Sequence, residues 1–215
     1  SKLEMIPNGV DTNRFQPSPR LREKIRADLG LGSDFVWLAV GRLVEQKDYP
    51  NLLRALGMLP PTNWQVLVVG EGTLLESLTA LAAELGVSKK VRFIPAREDV
   101  VALYAAADAF VMSSEFEGMS AALQEAIAMA LPCVVTDVGA NRDLVCDGTT
   151  GYVVPPGDSS HLAKAMESLM TAATSSREQF GRNARDFAVS NYEFRTVAQK
   201  WFGLYERCLE GKVAA

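Results

Sequence analysis

An α/β fold, with a parallel, doubly wound sheet and helices on both faces, is what this sequence predicts, and three observations carry the prediction. Short apolar runs of strand length, such as Phe35-Val36-Trp37-Leu38-Ala39-Val40, are continuous rather than alternating, as strands covered on both faces must be. These runs alternate along the chain with longer segments of helical periodicity. The size suits one large soluble domain, with 215 residues of which 48% are apolar and 22% charged.

The elements follow in order. After the Asn8-Gly9 turn, Arg20 to Leu29 reads as a helix and Phe35 to Val40 as the first buried strand. Next come helix Tyr49 to Met58, strand Gln65 to Val69, helix Thr73 to Leu85, strand Val91 to Ile94, helix Val100 to Ala107 and strand Ala109 to Met112. Helix Met119 to Ala130, strand Cys133 to Thr136, a short helix near Asn141, strand Tyr152 to Val154 and helix Ser160 to Ala172 complete the sheet. Right-handed crossovers restrict how these pieces connect. Thr171 to Ser176 is a small-polar break before further helix. The last helix, Phe194 to Leu209, sets Val197, Trp201, Leu204, Tyr205 and Cys208 on one face, a stripe expected to pack on its own domain. No internal repeat or low-complexity linker divides the chain.

A net charge of −4 argues against a general nucleic-acid-binding surface while allowing a local basic pocket, so partners are expected to be small anions or proteins. Cys133, Cys146 and Cys208 have neither metal-ligand spacing nor a disulfide framework, which suits small buried side chains in a reducing, cytoplasmic compartment. No apolar stretch reaches the ~18 residues of a membrane span, and the start is not signal-like. Peripheral contact at the inner face of a membrane stays open. Ser1 leads directly into Lys2-Leu3-Glu4-Met5-Ile6, a strand-like approach to a turn without an initiator methionine, which reads as an excised piece.

Chemistry concentrates in Glu117-Gly118-Met119-Ser120-Ala121-Ala122-Leu123-Gln124-Glu125. If a helix begins near Met119, the two carboxylates lie about 12 Å apart along its axis and about a quarter-turn around it. A diphosphate-linked sugar and ribose span a similar length. The free N–H groups of the first turn lie between them, where hydrogen bonding and the helix dipole favour an anionic diphosphate. Arg42 and Lys47 directly follow the first strand, on the side where open α/β sheets bind ligands. Fixed cations there would stabilise a departing diphosphate. The plainer readings are a favourable charge at a helix N-terminus for Glu117 and a solvent-facing residue for Glu125, although Glu125 sits between Leu123 and Ile127. In Pro95-Ala96-Arg97-Glu98-Asp99, Arg97 and Asp99 read equally as decoration of a helix start, with Asp99 placed to cap the helix at Val100.

Other chemistries lack their residues. Gly70-Glu71-Gly72-Thr73-Leu74-Leu75 begins like a dinucleotide fingerprint, but Leu75 stands where the third glycine belongs, so no nicotinamide cofactor is expected. No His/Cys/carboxylate cluster has metal spacing, His161 reads as structural, and no Asp-x-Asp or Gly-x-Ser-x-Gly motif occurs.

An ordered set of motifs runs through the chain: Pro7-Asn8-Gly9-Val10-Asp11, Val40-Gly41-Arg42-Leu43 with Lys47, Val69-Gly70-Glu71-Gly72, Ala107-Asp108, Ser114-Glu115-Phe116-Glu117-Gly118 with Glu125, Pro132-Cys133-Val134-Val135-Thr136-Asp137-Val138-Gly139, and Gly151-Tyr152. The set resembles the retaining family-4 (group 1) glycosyltransferases of GT-B architecture, with their Glu-x7-Glu signature and Arg-x4-Lys pair. One departure is Asp48, where many members have glycine after the lysine.

The resemblance implies a lead-in turn over residues 1–15, a Rossmann-like nucleotide-sugar-binding domain over 16–192, and a C-terminal helix over 193–215 crossing toward an N-terminal acceptor domain that this chain lacks. It implies that Arg42, Lys47 and Glu117 serve catalysis and that Gly41, Gly118 and the Arg97 and Asp99 loop line the donor site. Glu117 would bind sugar hydroxyls, and Met119 and Ser120 would contact the sugar through backbone N–H. Ala121 and Ala122 would face the diphosphate, and Glu125 would accept both ribose hydroxyls. No metal or cofactor is implied beyond the nucleoside-diphosphate sugar, and retention is expected by front-face attack. The expected function is the donor-binding half of an enzyme moving a hexose to a glycan or lipid-linked acceptor, as in bacterial surface-polysaccharide assembly, and inactive alone. The alternative is a non-catalytic sugar-nucleotide-binding or partner-binding module. Epimerases lack the Glu-x7-Glu frame, and phosphorylases carry a pyridoxal-phosphate lysine site not found here.

Overall fold

The computed structural model describes residues 4–209. The predicted approach at Lys2-Leu3 and the chain beyond Leu209 lie outside the described residues. Six strands form one sheet: β1 (Phe35–Val40), β2 (Trp64–Val69), β3 (Val91–Ile94), β4 (Ala109–Met112), β5 (Cys133–Thr136) and β6 (Gly151–Val154). Their order is β3-β2-β1-β4-β5-β6, and every pairing is parallel, the Rossmann-like arrangement. The helices are α1 (Pro19–Asp28), α2 (Tyr49–Gly57), α3 (Leu75–Glu84), α4 (Val100–Ala106), α5 (Ala121–Ala128), α6 (Asn141–Leu144), α7 (Ser159–Thr171), α8 (Thr174–Tyr192) and α9 (Phe194–Leu209).

Alternation along each strand divides the interior into two cores. On β1, Val36 and Leu38 point to the face carrying α4, α5 and α8, while Trp37 and Ala39 point to the face carrying α2, α3 and α7. The continuous apolar runs are the sequence trace of this double burial. Each fully buried Leu or Val contributes ~1.5–3 kcal/mol against chain entropy.

Helix ends differ from the sequence-based expectation for local reasons. Ser18 caps α1 through Leu21 N at 3.3 Å, with Pro19 in the first turn, so α1 starts one residue early. Leu74 N donates instead to Leu43 O at 3.1 Å, which delays α3 to Leu75 rather than Thr73. Ser120 is extended and accepts from Leu123 N, so α5 begins at Ala121 rather than Met119. Asp99 precedes α4 but makes no side-chain cap. Only Ala172 and Ala173, rather than the whole Thr171 to Ser176 stretch, separate α7 from α8.

The apolar stripe of α9 packs on its own domain only in part, with Leu204 half-buried. Val197 is buried, whereas Trp201 and Tyr205 are exposed, as are Phe194 and Phe202 beside them. The lead-in segment meets the α8/α9 junction, where Val10 N donates to Tyr192 O and Phe194 N to Val10 O.

Helix α8 approaches the end of α5 so closely that a Cβ on Gly181 would lie 2.2 Å from Ala130 O. Alanine normally gains about 1 kcal/mol over glycine in a helix, but overpacking against backbone costs more. Gly181→Ala is expected to lose ~1–3 kcal/mol, read as a lowered thermal unfolding midpoint.

Candidate functional site

The chain order reverses between β1 and β4, so the loops leaving these neighbours diverge around a crevice at their carboxyl ends. The Leu38↔Phe110 register sets Val40 level with Met112, and Gly41 and Ser113 therefore open the two loops side by side. Polar contacts lace the loops together. Ser113 Oγ donates to Lys47 O at 2.9 Å, Glu115 N to Gln46 O at 3.0 Å, and Gln46 Nε2 to Phe116 O at 2.8 Å.

At their centre Lys47 Nζ pairs with Glu117 Oε1, and Ser114 Oγ donates to the same oxygen from 2.7 Å. Glu117 is only 7% exposed. A carboxylate so deeply placed requires a partner, and removing one member of such a pair costs ~3–5 kcal/mol. Gly41 makes room for the lysine: a Cβ there would lie 3.1 Å from Lys47 Cε. Tyr49 closes the floor by donating its hydroxyl to Gly41 O at 3.1 Å. Burial, with the Glu117 charge adding to it, pushes the Tyr49 phenol far up, so it stays a neutral donor.

Asp48, the departure from glycine, adopts the left-handed conformation that glycine would supply, at φ 41° and ψ 49°. Aspartate tolerates this region better than most residues, and here its carboxylate also accepts from Asn51 N at 3.2 Å to cap α2. The loop shape thus survives the substitution.

Three glycines let the surrounding loops stack backbone on backbone. A Cβ on Gly70 would lie 2.0 Å from Gly41 O, and one on Gly72 would lie 2.3 Å from Leu43 O. The apparent fragment of a dinucleotide fingerprint is therefore a packing contact beneath the β1 loop. Gly139, left-handed at φ +51°, would drive a Cβ to 2.0 Å from Glu117 O, while Ala140 N donates to Gly118 O at 3.0 Å. The β5–α6 loop thereby props the Glu117-Gly118 turn.

Beyond that turn α5 starts with Ala121 exposed and Ala122 half-buried, so the N–H groups of its first turn are approached past methyl groups. Glu125 lies one turn further. Its Oε2 is 2.9 Å from the hydroxyl of fully buried Tyr104, whose single proton is shared with Ala122 O at 3.0 Å. No described residue hydrogen-bonds its Oε1. Burial raises the Glu125 pKa, opposed by the Tyr104 hydrogen bond and the Arg14 charge.

The sequence-derived residues thus fall into groups. Gly41, Lys47 and Glu117 meet directly, and Gly118, Met119, Ser120, Ala121 and Ala122 connect them to Glu125. Arg42 is exposed and has no ion-pair partner among the described residues. Arg97 and Asp99 pair with each other on the exposed β3–α4 loop, which is why Asp99 does not cap α4. That exchange lowers the Asp99 pKa. Three contributors escaped the sequence reading: Ser114 as the partner of Glu117, Tyr104 as the partner of Glu125, and Arg14, which reaches the same carboxylate by charge. Ser114 lay within the recognised frame; Tyr104 and Arg14 carry no local signal.

Clefts of about 900 and 950 Å³ of empty space open at the opposite end of the sheet, lined by Arg22 and Asp108 among others. There Arg22 and Arg26 are taken up by Asp108 and by the final carbonyls around α4. Arg177, which also lines them, is likewise spent on Met170 O and Ala172 O, so the arginines of these clefts are already engaged within the fold.

Comparison with known proteins gives consistent results. A GDP-mannose-dependent alpha-(1-6)-phosphatidylinositol monomannoside mannosyltransferase of Mycolicibacterium smegmatis is 36% identical over 208 residues, covering 90% of this chain and 53% of that protein. A D-inositol 3-phosphate glycosyltransferase of a Mycobacterium species is 37% identical over 179 residues, covering 80% of this chain and 40% of its own length. The chain thus spans about half the length of the curated relatives it matches. Among solved structures, Anabaena Alr3699/HepE in complex with UDP superposes with a TM-score of 0.90 at 27% identity, over 94% of this chain and 57% of that one. The sheet described above is accordingly one Rossmann-like half of the GT-B architecture. Glycosyl transferases group 1 is the family that matches residues 22–187, from α1 into α8 and across the whole carboxyl-end crevice, and this chain belongs to it.

Proposed function

We propose that this chain is the donor-binding half of a retaining, metal-independent glycosyltransferase that moves a hexose from a nucleoside-diphosphate sugar to a glycan or lipid-linked acceptor. The observation that carries the reading is the placement of Glu117 and Glu125 on either side of the α5 N-terminus, at the crevice where the strand order reverses. In this reading the diphosphate lies over the first turn of α5, beside Lys47 and exposed Arg42, and Glu117 receives the sugar while Glu125 receives the ribose diol. The backbone N–H groups of Met119 and Ser120 meet the sugar, and the Arg97 and Asp99 loop lies against the base. The cations offset charge gathering on the departing diphosphate, so the reaction needs no metal or separate cofactor.

The GDP-mannose dependence of the mycobacterial relative and the UDP held by the Anabaena protein support a nucleoside-diphosphate donor. The acceptor site belongs to a further domain, against which the exposed Trp201 and Tyr205 of α9 would pack. The chain alone would bind donor without turnover. We place the enzyme in the cytoplasm, working on acceptors at the inner face of the membrane; among the described residues no helix is long and apolar enough to cross one.

Calorimetric titration with UDP, GDP and ADP tests the reading. The chain is expected to bind at least one in the micromolar-to-millimolar range. Loss of a charge-assisted hydrogen bond is worth ~1.5–3 kcal/mol, so Glu125→Ala should weaken binding by ~10–150-fold. Arg42→Ala should weaken it without unfolding, because its side chain supports no described ion pair, whereas Lys47→Ala also strands Glu117. A folded chain that binds none of the three nucleotides would remove the reading.

Glu125 supplies a second test, of stability against pH. Its pKa is raised in the folded state, chiefly by burial, so the folded protein holds that proton more tightly than the unfolded chain. This contribution is present in full below the unfolded carboxyl pKa and is lost as pH rises through the raised folded value. Glu125→Gln, which cannot ionise, is therefore expected to unfold at a higher temperature than wild type at pH 7. The gap should close on acidification below about pH 4, the ordinary glutamate range, and nucleotide affinity should fall in the same variant.

A further inference from the structure

Arg14 lies in the lead-in segment, far in sequence from the carboxylates, yet its contacts converge on the nucleotide end of the crevice. The turn that carries it is fixed: Asp11 Oδ1 accepts from Asn13 N at 3.0 Å and Arg14 N at 2.9 Å, and Phe15 N donates to Asp11 O at 2.9 Å. Phe15 anchors the turn in the core, 5% exposed and edge-on to the Tyr104 ring at 5.9 Å. The Arg14 guanidinium lies over the Phe15 ring at 5.3 Å and donates to Glu98 O at 3.1 Å in the β3–α4 loop. Its charge also acts on Glu125. A short relay, Arg14 over Phe15, Phe15 on Tyr104, Tyr104 on Glu125, thus joins three segments that approach the same place.

Arg26, by contrast, is half-buried and spent on Asp108 and on backbone carbonyls beside α4. Arg14 is exposed, and a guanidinium has five N–H donors of which Glu98 O takes one. Among the described residues Arg14 is the cation whose charge bears on Glu125: helix α5 itself bears no basic residue, Tyr104 is the titratable group from α4, and on the β3–α4 loop Arg97 is already paired with Asp99.

Resting on the donor-site reading above, we propose that Arg14 is a positioning residue for the ribose end of the donor. It pins the β3–α4 loop to the lead-in turn and, through Phe15 and Tyr104, sets the position of the Glu125 carboxylate that would take the ribose diol. Recognition of the nucleoside would then depend on the lead-in segment as well as on the crevice loops. Asn8, whose backbone oxygen accepts from Gln124 Nε2 on α5 at 2.7 Å, strengthens that connection.

The test compares wild type, Arg14→Ala and Arg14→Lys by calorimetric titration with UDP, GDP, their 2′-deoxy counterparts and inorganic pyrophosphate across a pH series. Arg14→Ala is expected to weaken UDP or GDP about tenfold, a 1.4 kcal/mol effect, and the 2′-deoxynucleotides and pyrophosphate about twofold or less. Without the cation the Glu125 pKa rises further, so the pH below which ribonucleotide affinity falls should move upward, and Arg14→Lys should restore part of the shift. Unchanged ribonucleotide affinity and pH profile, or equal weakening of pyrophosphate, would overturn the role of Arg14 and leave the donor site standing. Absence of nucleotide binding in the wild-type chain would overturn both. Should Arg14→Ala unfold, Arg14→Gln, which keeps a polar side chain without the charge, carries the same comparison.

Discussion

The Lys47–Glu117 pair at the divergence of β1 and β4 is the contact on which the crevice depends. Glu117 is almost without solvent, so its charge is tolerable only with a cation and hydrogen bonds around it. Lys47 reaches it only because the 3₁₀ turn Glu45–Lys47, the left-handed Asp48 and the absence of a side chain at Gly41 bring the ammonium across the strand gap. The β1 loop and the β4 loop are thereby locked at one separation, and the start of α5 is set with them.

Around this pair, close backbone approach does what hydrogen bonds alone would not. Gly70, Gly72 and Gly139 sit where any Cβ would collide with a carbonyl of the β1 or β4 loop. Contacts to backbone leave no flexible side chain to yield, so these loops have one arrangement. A second consequence is rigidity in the helix start: Gly139 and Ala140 hold Glu117 and Gly118 from below, while Ser120 caps from within. The N–H groups at α5 are fixed before any ligand arrives, the condition under which oriented dipoles cost no reorganisation.

Much of this was legible in the sequence because it depends on local rules. Continuous apolar runs separated by helical segments fix a parallel sheet, and Glu117 and Glu125 were visible through their spacing. What escaped depended on contacts between distant segments. Tyr104 sits in an apolar helix and reads as core, which it also is; only the fold brings its hydroxyl to Glu125. The start of α3 moved because Leu74 N found Leu43 O, a partner on another loop. The α9 stripe was periodic enough to locate the helix, but periodicity does not say what covers an apolar face, and with Val197 buried but Trp201 and Tyr205 exposed the described residues of this domain cover only part of it.

The two carboxylates are neutralised in different ways, and the difference fits the proposed donor. A dianionic diphosphate entering between two bare carboxylates in a chain of net charge −4 would meet repulsion from both ends. Glu117 is paired one-for-one with Lys47, so the two together add little net charge to the crevice. At Glu125 burial instead raises the share of the protonated form relative to an open carboxyl, with the Tyr104 hydrogen bond and the Arg14 charge opposing that drift. The positive groups left without an ion-pair partner around the crevice are exposed Arg42 on the β1 loop, among the described residues, and about half a unit charge from the dipole at the α5 N-terminus. A chain acidic overall would thus offer the proposed donor positive groups between two hydrogen-bond acceptors. That pattern suits a ligand charged in the middle and hydroxylated at both ends, as a nucleoside-diphosphate sugar is, better than a simple phosphate or a fully anionic polymer.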